Sequence, residues 1–263
     1  MDGVVENTLY IPLAARAYVT KRFPEFFKDE TSAMLDERVP ASVKEGSNEY
    51  TMMASVCRYH ITDGMEREFA SRHPDRCNII HIGTGLETAY IRLEDIGAHF
   101  YDMDLPDVIE LRKSLLPPKE NETVIAGDMF DLSWADGIDD KVPTMILALG
   151  VFQYFEEDRI IDLVGKLKER FPGSELVFDA TNSKGVKYTN KYIHKTGNTA
   201  AEIHMAVDDP REFADKTGTD LLEVKTFYED ARRVLGKKLT LYTRIAMKVV
   251  DDSGRARVFR LSL

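Results

Sequence analysis

The chain has 263 residues, 45 acidic and 35 basic, for a formal net charge of −10, with 43% hydrophobic and 10% aromatic side chains. That length buries a large core without covalent staples, and the composition excludes a disordered tail. The two cysteines, Cys57 and Cys77, make no disulfide framework and no spaced metal cluster, and an acidic chain is a poor non-specific nucleic-acid binder.

Residues 1–74 read as helical. Asp29 precedes a helix-like stretch through Val39, and Glu49–Arg72 carries Met52, Met53, Val56, His60 and Phe69 at near-helical spacing until Pro74 ends it. The start, MDGVVENTLY, shows neither the basic nor the apolar region of a signal peptide. The longest apolar run, Val142–Phe152, contains Pro143 and falls short of the ~20 residues of a membrane span, so the expected location is cytoplasmic.

From residue 77 short apolar runs alternate with helices. Strands are expected at Asn78–Ile82, Ala98–Met103, Thr123–Ala126, Thr144–Leu149 and Glu175–Phe178. Between them lie helices at Leu86–Leu93, at Pro106–Leu116 with proline in its first turn, and at Glu156–Phe171. This alternation predicts an α/β fold, a doubly wound, mostly parallel sheet with helices on both faces. Residues 180–218 are polar and carry Lys184, Lys187, Lys191 and Lys195 among Tyr188, Tyr192, His194 and His204. A segment this long inside a compact domain is expected to be a lid with helices of its own, its lysines a solvated surface or an anion-attracting rim. Leu221–Phe227 and Arg257–Leu261 would close the sheet at about seven strands, with a helix at Leu239–Val250 between them. The whole is one domain: a helical cap (1–74), a ligand-binding α/β core (75–179), the lid (180–218) and a closing unit (219–263).

The sharpest feature is His81-Ile82-Gly83-Thr84-Gly85-Leu86, directly after the first strand. Glycines there permit a tight turn and close approach of backbone to a ligand. Asp102 and Asp104 end the second strand, where a carboxylate can take both ribose hydroxyls, and Asp128 follows the third, where it can accept from an adenine amino group. Any one of these aspartates serves equally as a cap or turn residue; their order along successive strands points to an adenosine ligand. Thr88 occupies the place of a third glycine, which argues against a dinucleotide. No histidine or cysteine spacing suits a metal, and none is expected.

These residues resemble S-adenosylmethionine-dependent methyltransferases, specifically the leucine carboxyl methyltransferase family in its branch of bacterial polyketide O-methyltransferases typified by the tetracenomycin enzyme. The matching blocks are Pro12–Ala17, Arg58–Asp63, Gly83–Thr88, Tyr101–Ile109, Gly127–Met129, Gly150–Tyr154 and Glu169–Asp179. The resemblance implies a Rossmann-like methyltransferase sheet with S-adenosyl-L-methionine as cofactor. Gly83 and Gly85 would line its methionine and ribose, Asp104 (or else Asp102) would hold the ribose, and Asp128 and Met129 would meet the adenine. Arg58 would pair with the cofactor's carboxylate and Arg16 would cover the active-site mouth. Three positions depart from the family pattern: Ala89 stands for an arginine, Leu149 for a glutamate and His60 for a second arginine.

Methyl transfer from a sulfonium is an in-line displacement, so alignment dominates. A carboxylate acceptor is already ionised and needs no base, only groups to orient it, for which Arg16, Lys191, Tyr192 and His194 are candidates. A hydroxyl acceptor would want a base, for which His194 or His204 is a candidate; Tyr154 follows the fourth strand beside the expected sulfonium. The expected activity is O-methylation of a carboxylate, less readily a hydroxyl, on a small or polyketide-like molecule, with neither nucleic acid nor membrane as partner. The rivals are methylation of a protein C-terminal carboxylate and a degenerate fold serving as a regulatory module.

Overall fold

Six consecutive buried residues, Cys77–Ile82, form β1, an interior strand of a seven-stranded sheet ordered β3-β2-β1-β4-β5-β7-β6. The other strands are β2 (Ala98–Asp104), β3 (Glu122–Ala126), β4 (Thr144–Ala148), β5 (Glu175–Thr181), β6 (Asp220–Thr226) and β7 (Ala256–Ser262). The first five are mutually parallel, and β7 runs antiparallel to both β5 and β6. A strand buried at every position, as β1 and β4 are, is the mark of a parallel sheet covered on both faces. The computed structural model describes residues 3–196 and 202–263, and leaves the side chains of 3–8, 192, 193, 195 and 196 undescribed.

Alternate residues of the same strands feed two cores. Ile79, Phe100, Met145, Leu147 and Val177 pack with Leu13, Met53, Val56, Met65 and Phe69 from the helices α1 (Gly3–Arg22) and α4 (Glu49–Arg72). Ile80, Ile82, Ile146, Leu176 and Phe178 pack on the other face against Ile160, Leu163, Val164 and Leu167 of α7 (Glu157–Arg170). Short helices α2 (Glu30–Met34) and α3 (Ala41–Glu45) link α1 to α4, which opens on a reciprocal cap: Asn48 accepts from Thr51 N, and Thr51 Oγ1 accepts from Asn48 N. The β1–β2 connection holds α5 (Ala89–Arg92), and α6 (Pro106–Leu115) follows β2 with its proline in the first turn. Helices α8 (Ser183–Thr196) and α9 (Pro210–Thr217) follow β5, and α10 (Glu229–Leu235) and α11 (Leu241–Asp252) follow β6.

Several expected elements are shorter or displaced. The helix expected over Leu86–Leu93 is the single turn α5, because Leu86–Thr88 are drawn into a buried ion cluster and Gly97, at φ +71°, ends the segment. The Asp29–Val39 helix divides into α2 and a 3₁₀ turn at Leu35–Arg38, with Asp29 capping Ser32 N. The last helix starts at Leu241, two residues later than expected and just after its cap Thr240, and α10 was not expected at all. Of the 180–218 stretch, α9 is no surface lid: Phe213 and Ala214 are buried against the sheet, with Phe213 5.3 Å from the Phe178 ring.

Candidate functional site

The parallel register brings one end of each strand to a common edge. Ile82 pairs with Met103, Asp104 with Ala126, and Ala148 with Phe178, so Gly83, Asp104, Asp128, Gly150 and Asp179 all stand at or just beyond the carboxyl ends. The strand order reverses between β2-β1 and β1-β4, and ligands of open α/β sheets bind at that switch point.

The turn after β1 needs its glycines. Gly83 has φ +67°, and a Cβ there would lie 2.4 Å from Val151 Cγ2; Gly85 has φ +52° and faces Leu9 of α1. Thr84 ties the turn to β2, its N–H donating to Met103 O at 3.0 Å and its hydroxyl to Asp102 Oδ1 at 3.0 Å. Asp104 then holds the turn from outside, accepting Gly85 N on Oδ2 and Leu105 N on Oδ1, both at 2.7 Å. Burial raises its pKa against these hydrogen bonds. A carboxylate has about four lone-pair sites, so two remain for a ligand diol. Asp128 is exposed after β3, its Oδ1 accepting Phe130 N at 3.0 Å, and Met129 beside it is buried.

At the other side of the switch point Arg58 reaches in from α4. Its Nη1 donates to Asp179 Oδ2 at 3.2 Å, while Asp179 Oδ1 accepts Gly150 N at 2.6 Å. Burial alone would lower the arginine's pKa, but the Asp179 carboxylate more than offsets it, so Arg58 is a fixed cation. Its Nε is buried and finds no hydrogen-bond partner among the described residues.

Two expected ligand residues face inward. Arg16, expected at the mouth, is fully buried: it donates to Asp29 Oδ2 at 2.8 Å, Ser32 Oγ at 3.1 Å and Leu86 O at 2.5 Å, and lies 3.7 Å from Glu87. With Arg92 and Thr88 these groups weld α1 to the glycine turn, which spends the Arg16 charge inside the protein. Asp102, the second choice for the ribose, is likewise buried, taken by Arg112 Nη2 at 2.5 Å and His81 Nδ1 at 2.8 Å. The remaining candidates lie on the segments that follow β4 and β5. Tyr154 is exposed on a 3₁₀ turn (Phe152–Tyr154), and Lys191 and His194 are exposed on α8, with His194 3.3 Å from Glu202. Tyr192 lies on α8 too, its side chain outside the described set. His204 Nδ1 is 3.3 Å from Glu156, and its N–H donates to Gln153 O at 2.8 Å, which carries the segment after α8 over the exits of β4 and β5. Leu149 is half-buried against the cap-side core. Among the described residues no group of three His, Cys, Asp or Glu is placed to hold a metal ion.

Residues 10–168 match the leucine carboxyl methyltransferase family. The chain belongs to that family. It is an S-adenosylmethionine-dependent methyltransferase, and the strand ends fit the cofactor: a glycine cradle that a Cβ would fill, an aspartate with acceptor capacity to spare, and a buried arginine donor without a hydrogen-bond partner among the described residues. Two curated relatives are similar over most of their length. The tetracenomycin polyketide synthesis O-methyltransferase of Streptomyces glaucescens is 24% identical over 79% of this chain and 77% of its own. An S-adenosyl-L-methionine-dependent methyltransferase of Gibberella zeae is 25% identical over 79% and 76%. Among solved structures, magnesium protoporphyrin IX methyltransferase from Synechocystis shares the fold at TM-score 0.52 and 13% identity, over 82% of this chain and 88% of that one.

Asp179 is the site-edge residue that sequence reasoning passed over. It ended a recognisable block, yet it obeys the same strand-end rule that singled out Asp104.

Proposed function

We propose that this methyltransferase transfers the methyl group to a carboxylate oxygen of a small, polyketide-like acid. S-adenosylmethionine supplies the methyl group on its sulfonium. In this assignment Asp104 holds the ribose hydroxyls, Asp128 and Met129 border the adenine, Gly83 and Gly85 let backbone approach the sugar and methionine, and Arg58 takes the methionyl carboxylate. Lys191, Tyr192 and His194, on the helix that follows β5, would orient the acceptor.

The observation that carries the carboxylate is the engagement of the histidine two residues before the glycine turn. Both ring nitrogens of His81 face buried carboxylates, Nδ1 2.8 Å from Asp102 and Nε2 3.6 Å from Glu66, which hold its pKa above the ordinary value, so this histidine is engaged inside the protein and is not free to act as a base. A carboxylate acceptor is ionised without help, whereas a phenol with pKa near 10 is not. The family description names a carboxyl methyltransferase, and the Streptomyces relative is named as a polyketide synthesis O-methyltransferase, which bears on the substrate class and not on the acceptor oxygen.

The test is methyl transfer from labelled cofactor to three acceptor classes: aromatic polyketide acids, their phenolic counterparts, and peptides ending in a free carboxylate. Label on the acids that alkali releases as methanol is a methyl ester and supports the proposal. Alkali-stable label on the phenols is an ether and makes His204 the base to examine. Transfer confined to the peptides replaces the small molecule with a protein tail.

A further inference from the structure

Asp179 joins three parts of the molecule. It sits near the carboxyl end of β5, buried, with one oxygen on the Arg58 guanidinium of the cap helix α4 and the other on the Gly150 amide at the exit of β4. Gly150 has φ +69°, and a Cβ there would lie 2.7 Å from Arg58 Nη1, so the guanidinium lies against the backbone of that exit. A guanidinium carries five N–H donors in a rigid fork. The contact to Asp179 uses a donor on Nη1, and the buried Nε has no hydrogen-bond partner among the described residues. A buried charged donor left without an acceptor is costly, which makes the orphaned Nε a place for an anion to land.

We propose that Asp179 is a positioning residue for cofactor recognition: it fixes the Arg58 fork at the β4 exit so that its remaining donors face the methionyl carboxylate. This rests on the assignment of Arg58 made above. Asp179 itself touches no part of the cofactor's carboxylate, since like charges repel; it acts through the arginine and through the Gly150 amide. Without it, Arg58 keeps its charge but gains rotamers, and the bidentate geometry that makes arginine selective for carboxylates is lost.

Calorimetric titration with two ligands isolates this role. S-adenosylhomocysteine carries the carboxylate, and 5′-methylthioadenosine keeps the nucleoside and sulfur without it. Asp179→Asn should weaken S-adenosylhomocysteine about tenfold while changing 5′-methylthioadenosine less than twofold. Arg58→Gln should show the same selectivity at least as strongly, and the double variant should be no weaker than Arg58→Gln alone, because both act on one contact. Should the amide variant fail to fold, Asp179→Glu, which retains the charge one methylene further out, should show a smaller loss with the same selectivity. Equal loss for both ligands, or none for either, overturns the positioning role of Asp179. An Arg58→Gln variant that loses both ligands equally, or neither, instead overturns the Arg58 assignment, so the two failures are told apart.

Discussion

Substituting Gly83 by alanine tests whether the turn after β1 is set by backbone and packing together. At φ +67° an L side chain is strained by about 1–3 kcal/mol. The added methyl would also lie 2.4 Å from Val151 Cγ2, where carbons settle at about 3.5–4.0 Å, so Val151 or the turn must move by about an ångström. Overpacking of that kind costs typically 1–3 kcal/mol, giving a combined loss of about 2–6 kcal/mol. Against a usual domain stability of about 5–15 kcal/mol this is large, and it corresponds to a Tm lower by roughly 5–20 °C. Urea unfolding of Gly83→Ala, Val151→Ala and the double variant separates the two contributions. Trimming Val151 removes the clash but leaves the φ strain, so the double variant should be more stable than the sum of the singles by about 1–3 kcal/mol. Strict additivity, or a Gly83→Ala protein as stable as the parent, would refute the packing argument.

Other consequences are as direct. Asp104→Asn removes the charge from a group already holding two backbone amides, so S-adenosylhomocysteine and 5′-methylthioadenosine should both bind about 1–3 kcal/mol more weakly in calorimetry, unlike the selective loss at Arg58. Arg16→Met leaves Asp29 and Glu87 buried with Arg92 as the one arginine of the cluster left to balance them, and denaturant unfolding should show a loss of about 3–5 kcal/mol. Burial would raise the pKa of Asp29 and Glu87, yet Arg16 and Arg92 bring both down to about 2. Their stabilisation is therefore present above the unfolded carboxylate range and is lost as pH falls from about 5 towards 2, which the urea midpoint across that window should follow. His81 behaves in the opposite sense: its folded pKa of about 10 lies above the unfolded value, so its contribution is full below about 6.5 and declines as pH rises towards 10.

The sheet was legible because its strands obey local rules. A buried parallel strand is a short, largely apolar run, and NIIHI and TMILAL fit that pattern with only Asn78, His81 and Thr144 as polar members. The glycines and aspartates that follow such runs were readable for the same reason: strand ends in a doubly wound sheet converge whatever the loops do. What stayed hidden depended on residues far apart in the chain. Arg16 matches a family position, but whether it faces a ligand or the interior is decided by Asp29 and Glu87, 13 and 71 residues away. The same cluster shortened the helix expected at Leu86, since Leu86 O and Thr88 Oγ1 bond across to Arg16 and Asp29. By contrast α10 carried readable signals, Glu229 and Asp230 in its first turn and Gly236 (φ +47°) just after its last, but at two turns it was too short for periodicity to expose.

The weld between α1 and the glycine turn also orders events during synthesis. Arg16 leaves the ribosome well before Glu87, Thr88 and Arg92, and at roughly 5–20 residues per second the delay to Arg92 is about 4–15 s. Through that interval the first helix carries a cation destined for the interior with Asp29 as its early companion, and the cap cannot close on its final geometry. The nascent protein is therefore obliged to keep its amino-terminal helix loosely held until the glycine turn arrives to complete the charge balance. A fusion or truncation that disturbs α1 should be felt as a misassembled turn some seventy residues downstream, in a segment it never touches in sequence.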